Sequence, residues 1–599
     1  MPAKKVLDFR NILTPDSMAA MIATYWVKWK TSRKTWENEK IELRNYLFAT
    51  DTTKTTNSSL PWKNKTTTPK LCQIRDNLHA NYMAALFPHD DWFNWLPMDD
   101  DAATIDKARA IKAYIRNKLI QSDFRSEVSK LVLDYIDYGN AFGEVNYVNE
   151  THTTPEGEVI PIYSGPKLSR ISPLDIVFDI SATSFNEAPK IVRSIYTLGQ
   201  LHVLINSYPE QNVMARNALA KCLEVRSTLR MEQPDSLKNE AYMIDGFGSL
   251  LQYFSSGFCE ILEFEGDYYD VQADTLYENY RIVVLDRAFI VDASPIKSWL
   301  GKSNKEHVGW RNRPDTLLAM GPLDNLVGMQ YRVDHLENLK ADVFDQIATP
   351  VVYQRGHVED WEWGPGERIF GDTESTVEVL HPDATALNAD MQIANLLNLM
   401  EEMAGAPKQA MGIRTPGEKT MYEVQSLENA SGRMFQNKVQ HFEAVLIEKF
   451  LNQYLECARR NLDPTELVSI VDPDLGVVEF MQVTPADIAA KGKLVPVGAR
   501  HFAKQAQIVQ NLTNLAGSAI YQDQGVNIHF SGLRMAKMIA EALNFTDPEL
   551  VSPNIRLYEM AESQRTQNVI ATQVASEAGA DSQVLSSQLG PNSMEDVPQ

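Results

Sequence analysis

The sequence predicts an α+β chain in which a small acidic β module is inserted between long helices. Three observations predict it. Apolar residues recur at three- and four-residue spacing in long runs, as in Leu71, Ile74, Leu78, Tyr82 and Leu86, the stripe of a half-buried helix. From Gly139 the period falls to two, with Ala141, Gly143, Val145 and Tyr147 in phase, as on a strand. Between two helical runs lie residues 351–386, short, strand-like and dense in acids.

Composition bounds the reading. The chain has 599 residues, of which 44% are hydrophobic and 23% charged, an ordinary globular balance that excludes wholesale disorder. Its 57 Lys and Arg against 79 Asp and Glu leave −22, which argues against a surface that grips nucleic-acid phosphates everywhere. Cys72, Cys222, Cys259 and Cys457 lie far apart with no C-x-x-C pair, so neither a zinc ribbon nor a disulfide framework is expected and a reducing compartment is the default. The first residues carry no apolar stretch of a secretion signal, and no run of 18 apolar residues suggests a membrane span.

Element by element, residues 15–48 read as helical, with Trp26, Trp29, Trp36 and Leu47 among charges. Thr52–Ser59 is polar and loop-like; Pro69 opens the stripe quoted above and Pro88 stops it. Asp99-Asp100-Asp101 reads as a solvated turn. Two more helices follow, on Ala110, Tyr114 and Leu119, then on Val128, Leu131, Val132 and Tyr135. Strand-like stretches cover Val159–Tyr163, Ile176–Ile180, Cys259–Phe264 and Ile282–Val291, interrupted by helices near Leu198–Ile205 and Glu210–Val225.

From Leu323 to Ile347 a long helix carries Leu326, Val333, Leu336, Leu339, Val343 and Ile347 on one side, and Thr349-Pro350 ends it. The acidic module that follows holds eight acids against Arg355 and Arg368. Asn388 is a fair N-cap for a helix on Ile393, Leu396, Leu397, Met400 and Met403, and Gly405 is suited to its end. A loop rich in glycine and proline runs to Lys419. Thr420 and Glu423 then form a capping box, in which the Thr hydroxyl accepts from the Glu amide and the carboxylate from the Thr amide. The helix so started reaches Arg460 through Val424, Leu427, Met434, Phe435, Phe442, Val445, Leu446 and Phe450, with a bend expected at Gly432. Strands are expected at Val468–Val471 and Val477–Val483, helices at Gln505–Leu515 and Leu533–Leu543, and a polar tail after about Met560. The body is thus split between residues 1–315 and the residues after about 460.

No catalytic pattern emerges. Gly366 and Gly371 have the spacing of a phosphate-binding loop, but Asp372 stands where that loop needs Lys, and a carboxylate there repels a triphosphate. No H-E-x-x-H or G-x-S-x-G occurs. No enzymatic activity, catalytic residue, metal or cofactor is expected.

Four stretches, in order, resemble portal proteins (head-to-tail connectors) of tailed bacteriophages, particularly the short-tailed kind. They are Trp62-Lys-Asn-Lys-Thr-Thr-Thr-Pro-Lys70 through to Leu86-Phe87-Pro88, and Tyr138-Gly139-Asn140-Ala141 at a helix-to-strand junction. The third is Gly321-Pro322-Leu323-Asp324-Asn325-Leu326 with His335-Leu336-Glu337. The fourth, and most specific, is Gly412-Ile413-Arg414-Thr415-Pro416-Gly417-Glu418-Lys419-Thr420 with Glu423-Val424-Gln425.

The resemblance implies a ring, usually of twelve copies, at one capsid vertex of the virion, assembled in the host cytoplasm, through which DNA is packaged and ejected. It implies a wing (1–317), a stem helix (318–349), a clip (350–386), a second stem helix (387–404), a channel loop (405–420), a long helix with the rest of the wing (421–500), a helical crown (501–562) and a tail (563–599) expected to be disordered. Implied partners are further copies of the chain, double-stranded DNA in non-specific transit, the terminase large subunit, adaptor and tail proteins and the major capsid protein, with no membrane. Lys408, Gln409, Arg414 and Lys419 would face DNA; Asp360, Trp361, Glu362 and Trp363 would form the clip interface; Leu326, Val333, Leu336 and Val343 would pack the stem.

Each assignment has a plainer counterpart. The stem helix could be one amphipathic core helix of a monomer. Trp361 and Trp363 alternate with Asp360 and Glu362, so on a strand both indoles face one way, towards a partner or towards the clip's own core. The loop bases could contact phosphates without reading sequence, or pair with acids. The competing classes are another virion component, such as a scaffold or internal ejection protein, and the terminase large subunit, which needs the phosphate-binding loop that is missing.

Overall fold

A computed structural model of the chain describes residues between 6 and 498; the longest stretches outside it are 229–242, 405–433 and 499–599. The capping box at Thr420, the expected bend at Gly432, the Asp99–Asp101 turn, the channel loop, the crown and the tail therefore lie outside the described residues. What is described mixes helix and strand throughout.

The chain opens with β1 (Val6–Phe9), α1 (Pro15–Ser32) and α2 (Lys34–Phe48). The single helical stretch expected over 15–48 is broken at Arg33. Its buried guanidinium turns inward and donates to the carbonyls of Pro173, Leu174 and Ile176, a demand that only tertiary structure reveals. Next come α3 (Lys70–Leu86), started at Pro69 as the sequence suggests, then β2 (Phe93–Pro97), α4 (Ala102–Gln121) and α5 (Phe124–Asp137).

Strands β3 (Asn140–Thr153), β4 (Val159–Ile171), β5 (Ile176–Phe178) and β6 (Lys190–Thr197) lead into α6 (Leu198–Ser207), α7 (Val213–Thr228) and α8 (Leu250–Ser255). Then follow β7 (Phe258–Asp270), β8 (Thr275–Leu285), β9 (Phe289–Pro295) and β10 (Lys305–Gly309). One sheet runs β5-β6-β7-β8-β9, with β1 parallel to the far end of β7; a second runs β10-β3-β4.

The continuous strand expected over Ile282–Val291 is a hairpin. Asp286 and Arg287 at its tip take φ of +47° and +58°, the left-handed region usually marked by Gly or Asn. Here side chains hold the turn. The Asp286 carboxylate accepts from Arg226, Cys222, Tyr253 and the Glu260 amide, while Arg287 forks onto buried Glu260 at 2.6 and 2.9 Å.

After β11 (Arg311–Arg313) and β12 (Thr316–Met320), a 3₁₀ turn (Asp324–Leu326) opens α9 (Val327–Ala348). A hairpin of β13 (Val351–Arg355) and β14 (Thr376–Leu380) follows, then α10 (Asp390–Ala404). A helix is described again from residue 434, passes through a π-turn (Glu443–Ile447) and ends as α11 (Glu448–Asn461). Antiparallel β15 (Glu466–Val471) and β16 (Val478–Val483), the short α12 (Pro485–Ile488) and β17 (Gly492–Pro496) complete the described chain.

β17 pairs antiparallel with β2, Leu494 opposite Trp95, so the chain after residue 460 returns to the body built by its first half. The same closure appears in the core. Tyr135 of α5 meets Phe442 edge-on at 4.9 Å, and Phe124 meets Tyr454 at 5.6 Å, all four side chains buried. Each such burial is worth about 1.5–3 kcal/mol against exposure.

Two of the stretches read from sequence meet at one point. Gly139 ends α5 with φ +71°, and a Cβ built on it would lie 2.3 Å from the Gly321 nitrogen, so glycine is required on both counts. Beside it, Asn140 donates to the carbonyls of Tyr138 and Ala319 and accepts from the Ala319 amide. On the other side the Gly321 amide donates to Asp324, whose other oxygen receives Lys40.

Candidate functional site: the helix, hairpin and helix from residue 327 to 404

Helix α9 has two dissimilar faces. Leu326, Val333 and Leu336 are buried in the chain's main core with Ile393 and Met400 of α10. Val343 is buried as well. The stem residues named from sequence therefore pack within their own chain in this structure, and α10 is tied to α9 by Lys340 to Asp390 and to α3 by Lys70 to Glu401.

The second face is polar. Gln330, Asp334, Asn338 and Asp342 stand four residues apart, about 6 Å per step along the helix. An extended segment, residues 63–68, runs antiparallel to them, and two residues of such a segment span about 6.6 Å. The two repeats nearly match, so alternate backbone units meet successive helical turns. The Thr68 amide donates to Asp334 at 3.0 Å, and Gln330 donates to the Thr68 carbonyl at 2.6 Å. The Thr66 amide donates to Asn338, which donates back to the Thr66 carbonyl, both at 2.8 Å. The amides of Lys63 and Asn64 donate to Asp342, and the Asn64 side chain donates to Asp342 and Asp345. Four polar side chains thus do what a neighbouring strand would do for this segment. These four residues were not among the sequence expectations, although their four-residue spacing makes a polar stripe visible in the sequence.

Beyond Val343 the helix loses its cover. Phe344 and Ile347 are exposed there, and Leu339, four residues before Val343 in the expected stripe, is exposed as well. The hairpin pairs Val351 with Leu380, Val352 with Val379 and Tyr353 with Glu378. Its ladder extends past the Gly356 turn to a bridge between Val358 and Gly371, where the Glu359 amide donates to the Phe370 carbonyl. Ile369 and Phe370, expected as a strand, lie outside the strands and the bridge, Phe370 contributing only the carbonyl that accepts from Glu359. Asp360 and Glu362 are exposed and Trp361 is half-buried; Trp363 lies outside the described residues, as do Lys408, Gln409, Arg414 and Lys419.

The exposed apolar side chains of this region are large: Phe344 (51% exposed), Val351 (64%), Tyr353 (52%), Phe370 (61%), Leu380 (50%) and Met391 (76%). Val351, Tyr353 and Leu380 share one face of the hairpin by register.

Among the described residues, no group of three or more His, Cys, Asp or Glu converges as a metal site, and no helix is long and apolar enough to cross a membrane. No family model matches the chain, and no curated protein matches it.

Proposed function

We propose that the chain is a portal-type subunit of a tailed bacteriophage. Copies form a ring, twelve by the resemblance, at one capsid vertex, and viral DNA passes through its centre inward during packaging and outward at ejection. The single observation that carries this reading is the set of large apolar side chains left exposed at Phe344, on the hairpin and at Met391. Monomeric proteins rarely expose large contiguous apolar patches, and a lone two-stranded hairpin is marginally stable at best. A neighbouring copy supplies the missing cover. In the proposed ring these side chains meet a different surface of the next copy, a heterologous contact of the kind that forms a ring when its rotation closes.

In this reading Asp360, Trp361, Glu362 and Trp363 present an acidic, aromatic surface to the terminase large subunit and later to adaptor and tail proteins. Lys408, Gln409, Arg414 and Lys419 touch DNA phosphates sparsely, which suits passage better than grip. The wing contacts the major capsid protein, and the protein has no catalysis of its own. It resides in the virion after assembly in the host cytoplasm.

Light scattering on the purified protein tests the reading. A ring of twelve 67.6 kDa chains has a mass of about 810 kDa. A species that stays at one chain's mass across concentrations and salts overturns it.

A further inference from the structure

A cleft of about 260 Å³ opens between α2, α3, α5 and β4, away from the surface just described. In a chain of net charge −22 its lining stands out: five bases, among them Arg44, Arg75, Lys130 and Arg170, face only two acids, Asp134 and Asp137. The lining follows from helical spacing. Lys40, Leu43, Arg44, Leu47 and Phe48 form one face of α2, and residues 130, 133, 134, 137 and 138 form one face of α5.

The two acids organise the bases rather than cancel them all. Arg75 forks onto Asp137 through Nε and one terminal nitrogen, at 2.7 and 2.9 Å. Arg170 forks onto Asp134 through the equivalent atoms. Each guanidinium is thereby fixed with its other terminal nitrogen outside the fork; that of Arg75 has only a 3.3 Å contact with Asp76. Arg44 is exposed and makes no hydrogen bond or ion pair among the described residues. Lys130 is half exposed and held only by a solvent-facing pair with Glu127, a kind of pair worth little. Phe48 is 57% exposed, with the Arg75 guanidinium 5.5 Å from its centroid, and Tyr138 lines the opposite helix. The volume lies just below the usual range of about 300–1,000 Å³ for ligand pockets, room for one small molecule.

We propose that this cleft binds a small anion carrying a planar ring, the class to which nucleoside monophosphates belong. Arg44, Lys130 and the free edge of Arg170 take the anionic group, and the ring lies on Phe48. The proposal is independent of ring assembly.

Titration calorimetry on the full chain with deoxyadenosine monophosphate tests it, with inorganic phosphate and deoxyadenosine as separate arms. Saturable binding that weakens with added salt is expected, with each separate arm at least about tenfold weaker than the nucleotide. Arg44→Ala and Lys130→Ala should each weaken binding by about tenfold, the loss of one hydrogen bond to a charged group, with unchanged melting temperatures. Absence of saturable binding overturns the proposal. So does equal affinity in the folded double variant, or inorganic phosphate binding as tightly as the nucleotide.

Discussion

Asn338 and Thr66 hydrogen-bond each other as two antiparallel strand residues would, amide to carbonyl in both directions at 2.8 Å, although one of them is a side chain on a helix. The carboxamide suits this because it carries a donor and an acceptor on one planar group. Its amide also donates to the Asp334 carbonyl one turn back, which orients it. Asn338 is fully buried.

Asn338→Ala should therefore lower stability by about 2–4 kcal/mol, because it strands both backbone groups of Thr66 as well as removing the pair. Asn338→Asp keeps only the acceptor and should cost at least as much at neutral pH. Denaturant unfolding of both variants checks this, and protease nicking near residues 63–68 should rise in parallel.

Asp334 and His307 make opposed contributions to the pH dependence. Burial pushes the Asp334 carboxyl up to about 6, against the Thr68 amide and Gln330, which lower it. The folded state then holds that proton more tightly than the unfolded chain, so this group's contribution to stability falls as pH rises from about 4 to about 6. Burial, with Lys449, Lys190 and His441 adding to it, pushes His307 down to about 3. The unfolded chain takes that proton first, so this contribution falls as pH drops from about 6.5 to about 3. Asp334→Asn should stabilise the protein above pH 6 by about 1–3 kcal/mol. His307→Gln should flatten the loss on the acid side. Unfolding midpoints near pH 4, 6 and 8 separate the two.

Gly139 and Gly257 offer a matched comparison, with φ of +71° and +75°. A Cβ on Gly257 meets nothing within 4 Å, whereas on Gly139 it would lie 2.3 Å from Gly321 and 2.5 Å from Met320. Gly257→Ala should cost about 1–2 kcal/mol, the conformational penalty alone. Gly139→Ala should exceed about 4 kcal/mol and yield little folded protein. Expression and thermal melting of the pair check it.

These residues show how much of the fold the sequence carried. Periodicity located α3, α5 and the core side of α9, because burial of one face imposes a repeat. It also located β13 and β14. It did not show the break at Arg33 or the turn at Asp286-Arg287, since both depend on partners more than twenty residues away. Gly139 was legible as the point where the period changes, and Asn64 through Thr68 as part of a resemblance; their physical roles, a close backbone approach and a strap on α9, needed three dimensions. Of the apolar stripe of α9, Leu326, Val333, Leu336 and Val343 are buried while Leu339 and Ile347 are exposed, because spacing does not say which turns of a helix have a neighbour. Asp360, Trp361 and Glu362 were singled out by their alternation and by the resemblance; the structure leaves the two acids exposed and half-buries the indole between them.

The hairpin supplies the most direct variant. Val351→Asp, Tyr353→Asp and Leu380→Asp change three exposed side chains on one face, so the monomer's melting temperature should stay within about 2 °C. Assembly should fail, because three carboxylates would be buried against a neighbour. Light scattering and thermal melting on the same sample distinguish loss of assembly from loss of fold.

Electron microscopy of the purified full-length protein, viewed down the particle axis, tests the central claim most directly. Closed rings with a central hole and a single rotational symmetry, twelvefold by the resemblance, are expected, and they should disappear in the triple aspartate variant. Uniform monomers, or particles without an axial hole under all conditions tried, contradict it.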